Sequence, residues 1–148
     1  MKCPACYNEL TEFQVANITV DVCHGGCGGV WFDAFELQKV DEERETAGEP
    51  LLHIQRDEQL IVNKPCKREC PRCAGVKLHR HFFSGKRQFE VDQCPSCAGY
   101  WLDAGELNLI RTEKSQAAAA GQVGQFGISI EVIRYLYRVQ TKQQISQC

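Results

Sequence analysis

The 148-residue sequence has no run of 18 apolar residues, so we expect no membrane-spanning helix. Its opening Met-Lys-Cys-Pro has no apolar segment that could serve as a secretory signal, so we expect a cytoplasmic protein. Residues 1–50 have few basic side chains, and residues 64–88 have few acidic ones. Residues 1–50 carry three Lys/Arg against ten Asp/Glu, and residues 64–88 carry eight Lys/Arg against Glu69 alone. These net charges of −7 and +7 predict that the two stretches face different partners or each other.

Cysteine is abundant instead, with ten residues in the chain. Eight of them form two matched sets of four: Cys3, Cys6, Cys23 and Cys27, then Cys70, Cys73, Cys94 and Cys97. In a cytoplasmic protein, such closely spaced pairs bind metal or carry out thiol chemistry. Four thiolates suit Zn²⁺, which they enclose in a tetrahedron that leaves no open position for a substrate. We therefore predict two structural Zn²⁺ ions per chain.

Several alternatives to these assignments stay open. Iron for electron transfer also accepts four thiolates, whereas thiol–disulfide exchange would use a single exposed pair at a helix N-terminus. Cys23 and Cys27 are separated by three residues instead of two, so His24 could replace Cys23 as a ligand. Cys66 could compete for the second site. Cys148 ends the sequence and is expected to be a free thiol.

The segments around the cysteines repeat as well. Alternating apolar residues between the two pairs of each set predict a β-hairpin, turning near Ala16 in the first copy and near Ser84 in the second. After the second pair, both copies place a Trp two residues before an Asp, and a Glu three residues after it: Trp31, Asp33 and Glu36, then Trp101, Asp103 and Glu106. The Asp–Glu spacing predicts a capping box that starts a helix, and acid–base catalysis is the alternative use of these carboxylates. We expect each Trp to cover the thiolates of its own copy.

The motif CPxC followed by CPxCxGxWLDxGEL resembles the bacterial zinc-ribbon proteins that are grouped by their likeness to the zinc ribbon of transcription factor IIB. The second copy matches this pattern at Cys70, Cys73, Cys94, Cys97, Trp101, Asp103, Glu106 and Leu107. The first copy matches at Cys3, Cys6, Cys27, Trp31, Asp33, Glu36 and Leu37 but has the longer second pair, and Phe35 where the second copy has Gly105. The resemblance covers roughly residues 1–40 and 68–110. It implies a small antiparallel sheet with one zinc per copy, and a link to transcription by analogy only.

We therefore predict a small, metal-stabilised α+β fold with two tandem zinc ribbons, each a short antiparallel hairpin followed by a helix, plus a C-terminal helix. The expected boundaries are 1–48 for ribbon 1 with its helix and 66–120 for ribbon 2 with its helix. Residues 49–65 form the linker, which could add a strand, and residues 121–148 form the amphipathic C-terminal helix. In that helix, Glu131, Arg134, Arg138 and Lys142 form one polar stripe beside a wide apolar face. This apolar face should pack onto the ribbons or mediate homo-oligomerisation.

Two functions are compatible with these features. The first is a protein-interaction adaptor, with a link to transcription, that docks through the ribbons and the C-terminal helix. The alternative is a nucleic-acid-binding protein that uses residues 64–88, where Phe82, Phe83 and Phe89 lie among the basic residues. We do not expect an enzyme, because closed metal sites and capping carboxylates provide no reaction centre.

Overall fold

A computed structural model of the chain describes residues 1–42, 44–121 and 130–141. Six strands form one sheet: β1 (Thr11–Val15), β2 (Ile18–Val22), β3 (Val30–Phe32), β4 (His79–Phe82), β5 (Glu90–Gln93) and β6 (Tyr100–Leu102). Their order across the sheet is β1-β2-β3-β6-β5-β4, and every pairing is antiparallel. The first three strands belong to ribbon 1 and the last three to ribbon 2. The two copies therefore share a single sheet.

Each copy contributes a hairpin, as the alternating pattern predicts. In ribbon 1, Val15 lies opposite Ile18 and the chain turns at the two residues between them. In ribbon 2, Phe82 lies opposite Glu90, and the N–H of Phe83 donates to Phe89 O at 3.2 Å, which leaves a longer turn over residues 84–88.

The two copies are joined where β3 pairs with β6. Trp31 lies opposite Trp101 at the centre of this pairing, with Val30 opposite Leu102 and Phe32 opposite Tyr100. Equivalent strands thus run antiparallel to each other, which is the arrangement of a two-fold symmetric dimer interface. As a result, the end of each third strand points towards the cysteines of the other copy.

The helices differ between the copies. Ribbon 2 continues into α1 (Glu106–Ala119), close to the predicted helix. In ribbon 1, the described residues after Asp33 form two 3₁₀ segments, Leu37–Lys39 and Thr46–His53, so the single continuous helix that we predicted within residues 1–48 is wrong. Val40 ends the first segment with φ −138°. The acidic residues that follow are a physical reason for the loss of helix, because like charges three or four positions apart repel each other.

A buried arginine stabilises this irregular segment of ribbon 1. The guanidinium of Arg111, on α1, donates to Val40 O at 2.8 Å and to Glu45 O at 3.1 Å, and it pairs with the Glu49 carboxylate. Gly48 lies directly against this guanidinium, since a Cβ there would overlap Nη1. The carbonyls that an α-helix would have used internally are thus bonded by a side chain from ribbon 2.

The linker forms no strand, contrary to the suggestion from its apolar residues. The second 3₁₀ segment extends to His53, and the chain then passes along the second cysteine pair of ribbon 1. Here Gln55 O accepts from Gly25 N at 2.8 Å, and Asp57 N donates to Gly26 O at 2.8 Å. The linker therefore lies against the first cysteine group. The boundaries of the four predicted segments stay a prediction.

The helix α2 (Ile130–Thr141) lies within the C-terminal segment where we predicted a helix. Ile133 is fully buried, and Arg134 donates to Pro95 O at 2.8 Å and to Ser96 O at 3.1 Å. One face of α2 thus packs onto ribbon 2, while Val132 and Tyr135 are exposed. Lys142, which we placed on the polar stripe, lies outside the described residues. Among the described helices, none has the length and hydrophobicity required to cross a bilayer.

Candidate metal centres

The hairpins bring the eight predicted ligands into two groups. One group contains Cys3, Cys6, Cys23 and Cys27, and the other contains Cys70, Cys73, Cys94 and Cys97. Within each group all sulfur atoms lie within 4.8 Å of one another, and all eight thiols are free. The sequence had paired these cysteines by spacing alone, and the fold places them together. That they bind metal stays a prediction.

The distances within the groups match a tetrahedral metal site. The Sγ atoms of Cys3 and Cys27 are 3.5 Å apart, those of Cys6 and Cys23 are 3.4 Å apart, and those of Cys70 and Cys97 are 3.8 Å apart. Four sulfurs at about 2.3 Å from a central Zn²⁺ would be separated by about 3.8 Å. Both groups can therefore close around an ion of this size with small adjustments.

Backbone N–H groups point at the sulfurs and stabilise their charged forms. Cys3 Sγ accepts from the N–H groups of Ala5 and Cys6, both at 3.4 Å. In ribbon 2, Cys94 Sγ accepts from Ser96 N and Cys97 N at the same distance. Hydrogen bonds of this kind lower the pKa of a thiol and favour the thiolate that a metal requires.

Within each group the thiols share protons unequally. The hydrogen bond from Cys3 lowers the pKa of Cys27 to about 6, and the one from Cys70 lowers the pKa of Cys94 to about 5. The same bonds, together with burial, raise the pKa values of Cys3 and Cys70. Fully deprotonating four clustered thiols therefore calls for a cation, because a divalent ion offsets the repulsion among the thiolates.

The irregular second pair of ribbon 1 is accommodated by glycine. Gly26 lies against Cys23 Sγ and the Asn8 side chain, where a Cβ would be only 2.5 Å and 2.7 Å from the nearest atoms. Cys23 is buried in the sulfur group, whereas His24 is exposed. The geometry thus favours Cys23 over His24 as the fourth ligand.

The two remaining cysteines belong to neither four-cysteine group. Cys66, which could have competed with Cys70, is disulfide-bonded and so is not available as a thiolate ligand. Cys148 lies outside the described residues.

Each tryptophan packs against the other copy. Trp31 lies against Gly99, which follows the second cysteine pair of ribbon 2, and a Cβ on Gly99 would overlap Cζ2 of Trp31. Trp101 lies in the same way against Gly29 of ribbon 1. Both indoles are fully buried in one cluster that contains cysteines of both groups. That each Trp covers the thiolates of its own copy stays a prediction. The contact with the other copy, which the β3–β6 pairing produces, was not predicted.

The carboxylates that repeat in both copies are only partly used for capping. Glu106 Oε2 accepts from Asp103 N at 2.8 Å, as in a capping box, but the N-cap of α1 is Gly105 and makes no side-chain cap bond. Asp103 Oδ1 instead accepts from Trp101 Nε1 at 3.0 Å, and Asp33 accepts from Trp31 Nε1 at 2.9 Å. These carboxylates therefore fix the orientation of the tryptophans that lie between the two cysteine groups.

Arginines complete this arrangement, and the sequence did not reveal their partners. Arg68 is buried and donates to Asp92 Oδ2 at 3.0 Å and to both oxygens of Asp103 at 2.9 and 3.1 Å. Arg72, between two predicted ligands of ribbon 2, crosses to ribbon 1 and pairs with Asp21 and Asp33. A search for basic residues beside the cysteine pairs could have flagged Arg72, but not its partners.

The family comparison agrees with this geometry. The model for the transcription factor zinc-finger family matches residues 2–43 and 69–111. The chain belongs to this family. No curated protein and no solved structure matched the chain. The two matched segments coincide with the two copies, and the two four-cysteine groups fit two zinc ions; the identity of the ion rests on the family. A bound Zn²⁺ would hold the four thiolates of each copy together and stabilise the small ribbons.

Proposed function

We propose that this family member is a protein-interaction adaptor, linked to transcription and not an enzyme, in which two zinc ions hold the docking surface in shape. A site with four protein thiolates leaves no coordination position for a substrate. Metal would therefore contribute to folding and rigidity. The carboxylates nearest the sites orient tryptophans and arginines, which supports a structural role for them as well.

One residue, Phe35, carries the adaptor proposal. Its ring is 75% exposed and its backbone has φ 70°, where the second copy has Gly105 with φ 90°. A large apolar residue in the left-handed region costs on the order of 1–2 kcal/mol, and this ring is not buried in return. Exposed aromatic side chains often anchor protein partners, and strained backbone positions cluster at functional sites.

The charge around Phe35 indicates the kind of partner. Asp33 and Glu36 flank it, and residues 1–50 have a net charge of −7. Since complementary potentials favour association, the partner should be a protein with an apolar pocket rimmed by Lys or Arg.

A substitution copied from the second copy tests this proposal. Phe35→Gly removes the ring but suits the backbone, so we expect thermal stability within about 1 kcal/mol of wild type. Proteins that copurify with tagged wild type after nuclease treatment should be lost from Phe35→Gly. Ile61→Ala is the matched control, because Ile61 is 95% exposed and lies in the linker. Retention of the same proteins by Phe35→Gly would contradict the proposal.

A second copy of the chain is the alternative protein partner. Val132 and Tyr135 are exposed on α2, so self-association through this helix would bury them. The molar mass in solution from light scattering distinguishes the cases. A dimer that Tyr135→Ser dissociates, and that Phe35→Gly leaves intact, would transfer the docking role from Phe35 to α2.

Nucleic-acid binding is the second candidate function, and one observation favours it. At the tip of the β4–β5 hairpin, the Arg87 guanidinium lies 6.0 Å from the Phe82 ring centroid, and Phe82 is 39% exposed. Such a pair could stack on an unpaired base. Against this function, ion pairs with carboxylates engage five of the eight basic residues of the stretch: Lys64, Arg68, Arg72, Lys77 and Arg80.

Gel shifts with single- and double-stranded DNA and RNA at several salt concentrations test this candidate. If the hairpin tip binds, Lys86→Gln with Arg87→Gln should weaken binding and flatten the salt slope by about two at most. Zinc content should not change, because residues 86 and 87 lie in the turn, away from the cysteines. No shift with micromolar protein would remove this candidate and leave the adaptor.

A further inference from the structure

Three features connect the two metal centres across the β3–β6 interface between the copies. The cysteine groups, Trp31 and Trp101 belong to one buried cluster rather than two. Each indole is held by its own copy and packs on the other. We propose that the two metal sites are thermodynamically coupled, so that a zinc ion bound in one ribbon strengthens zinc binding in the other.

The first connection runs from the cysteines to the glycine behind them. Cys94 N donates to Gly99 O at 2.8 Å, and Cys23 N donates to Gly29 O at 2.9 Å. These bonds close the turn that holds the second cysteine pair of each copy. Binding of metal by Cys94 and Cys97 therefore also fixes the position of Gly99, and the same holds for Cys23, Cys27 and Gly29.

The second connection runs from the glycine to the opposite tryptophan. Gly99 forms the surface on which Trp31 packs, and Gly29 forms the surface for Trp101. If the second cysteine pair of one copy loses its ion, the turn that contains it can loosen. The indole of the other copy then loses packing contacts, which close-packed interiors do not readily replace. That indole donates its Nε1–H to the aspartate that directly follows its own strand.

The third connection is electrostatic and consists of ion pairs between the two copies. Arg72 lies between Cys70 and Cys73, and it pairs with Asp21 and Asp33 of ribbon 1. Loss of the ion in ribbon 2 would release this arginine and leave the two carboxylates of ribbon 1 without it. Because linkage is reciprocal, emptying either site should weaken zinc binding at the other by the same factor, and this ion pair between the copies contributes to that factor.

Metal affinities of single-site variants measure the coupling. Cys27→Ser leaves only the site of ribbon 2 intact, and Cys97→Ser leaves only that of ribbon 1. Zn²⁺ competition with a chelator should show that the intact site of each variant binds more weakly than the same site in wild type, by about 5–150-fold for a coupling of ordinary size. Failure of Cys97→Ser to bind any zinc would be the extreme form of the same result. Unchanged affinities at both intact sites would overturn the proposal.

Tryptophan fluorescence provides a second measurement that does not depend on affinity. The chain has two tryptophans, so Trp101→Phe leaves Trp31 as the single reporter. Coupling predicts that adding Cys97→Ser, which empties the opposite site, shifts the Trp31 emission to the red and raises its quenching by acrylamide. The mirror pair is Trp31→Phe with Cys27→Ser. If Trp31 emission is the same with the second site intact or removed, the proposed connection through the indole is contradicted, even if the affinities change.

Discussion

Ribbon 1 and ribbon 2 have the same cysteine framework but obtain their support differently. In ribbon 2, the aspartates Asp92 and Asp103 are bonded by Arg68 of the same copy, whose side chain is only 3% exposed. In ribbon 1, the equivalent Asp21 and Asp33 are bonded by Arg72, which comes from the other copy and is 44% exposed. Ribbon 2 is therefore self-sufficient in this respect, whereas ribbon 1 depends on its neighbour.

The helical segments differ between the copies in the same way. Gly105 leads directly into α1, whereas Phe35, at the equivalent position, leads into short 3₁₀ segments. The segment after these turns is stabilised by Arg111, again from ribbon 2. Ribbon 1 therefore relies on a side chain of ribbon 2 where ribbon 2 has its own helix, and the ring of Phe35 stays exposed.

The largest expected effect is the removal of one ligand from each copy. Cys97→Ser should lower the zinc content at saturating metal from two ions to one and unfold ribbon 2, since zinc binding in such modules contributes about 10–16 kcal/mol. Cys27→Ser should also cost one ion but lower the melting temperature less, because ribbon 2 depends less on ribbon 1. Elemental analysis and calorimetry check both, with Ile61→Ala as the control, because the Ile61 side chain is 95% exposed. A Cys97→Ser protein as stable as wild type would rule out a structural role for the second site.

The next comparison concerns the two arginines. Arg68→Leu leaves the buried Asp92 with Arg80 as its ion-pair partner and the partly buried Asp103 with the more distant Lys64. It should cost up to about 3–5 kcal/mol in the free energy of unfolding. Arg72→Leu removes a half-exposed pair and should cost at most about 1 kcal/mol. Urea titrations of the zinc-loaded proteins measure both. Equal costs would show that ribbon 1 relies on Arg72 as strongly as ribbon 2 relies on Arg68.

A smaller effect is expected at the glycines that face the tryptophans. Gly29→Ala and Gly99→Ala each place a methyl group where it overlaps a buried indole. Each should lower the free energy of unfolding by about 1–3 kcal/mol. Gly85→Ala is the control, because its surroundings are open, and it should stay within about 0.5 kcal/mol of wild type. If the β3–β6 interface is symmetric, the two buried substitutions should cost the same. A difference between them would identify the copy in which the indole is packed more tightly.

The smallest effect concerns the pH dependence that Glu106 contributes. Burial, and then the charge of Asp103, raise the pKa of Glu106 from 4.5 to about 7. The folded protein therefore holds this proton more tightly than the unfolded chain, so stability is lost as the pH rises from about 4.5 to about 7. Glu106→Gln should remove this loss and stabilise the protein above pH 7 by about 1–3 kcal/mol. Thermal unfolding at several pH values measures it, and Glu36→Gln is the equivalent change in ribbon 1. A pH profile unchanged by Glu106→Gln would contradict the raised pKa.

Local spacing in the sequence determined the cysteine sets, the two hairpins and a helix in the C-terminal segment. Each depends on residues close along the chain, and the two copies repeat the same pattern. The family match covers the same two segments. The failed expectations, such as the helix after Asp33, arose where a local signal competed with distant contacts.

Only the tertiary structure decided how the copies meet. Three contacts join residues roughly 50–70 positions apart. Trp31 pairs with Trp101, each indole packs on the glycine of the other copy, and Arg72 bonds Asp21. Because both copies carry the same motif, local spacing is equally compatible with an indole over its own thiolates or over the other copy. The antiparallel β3–β6 pairing brings each indole against the other copy, since it directs the end of each strand towards the opposite cysteine group.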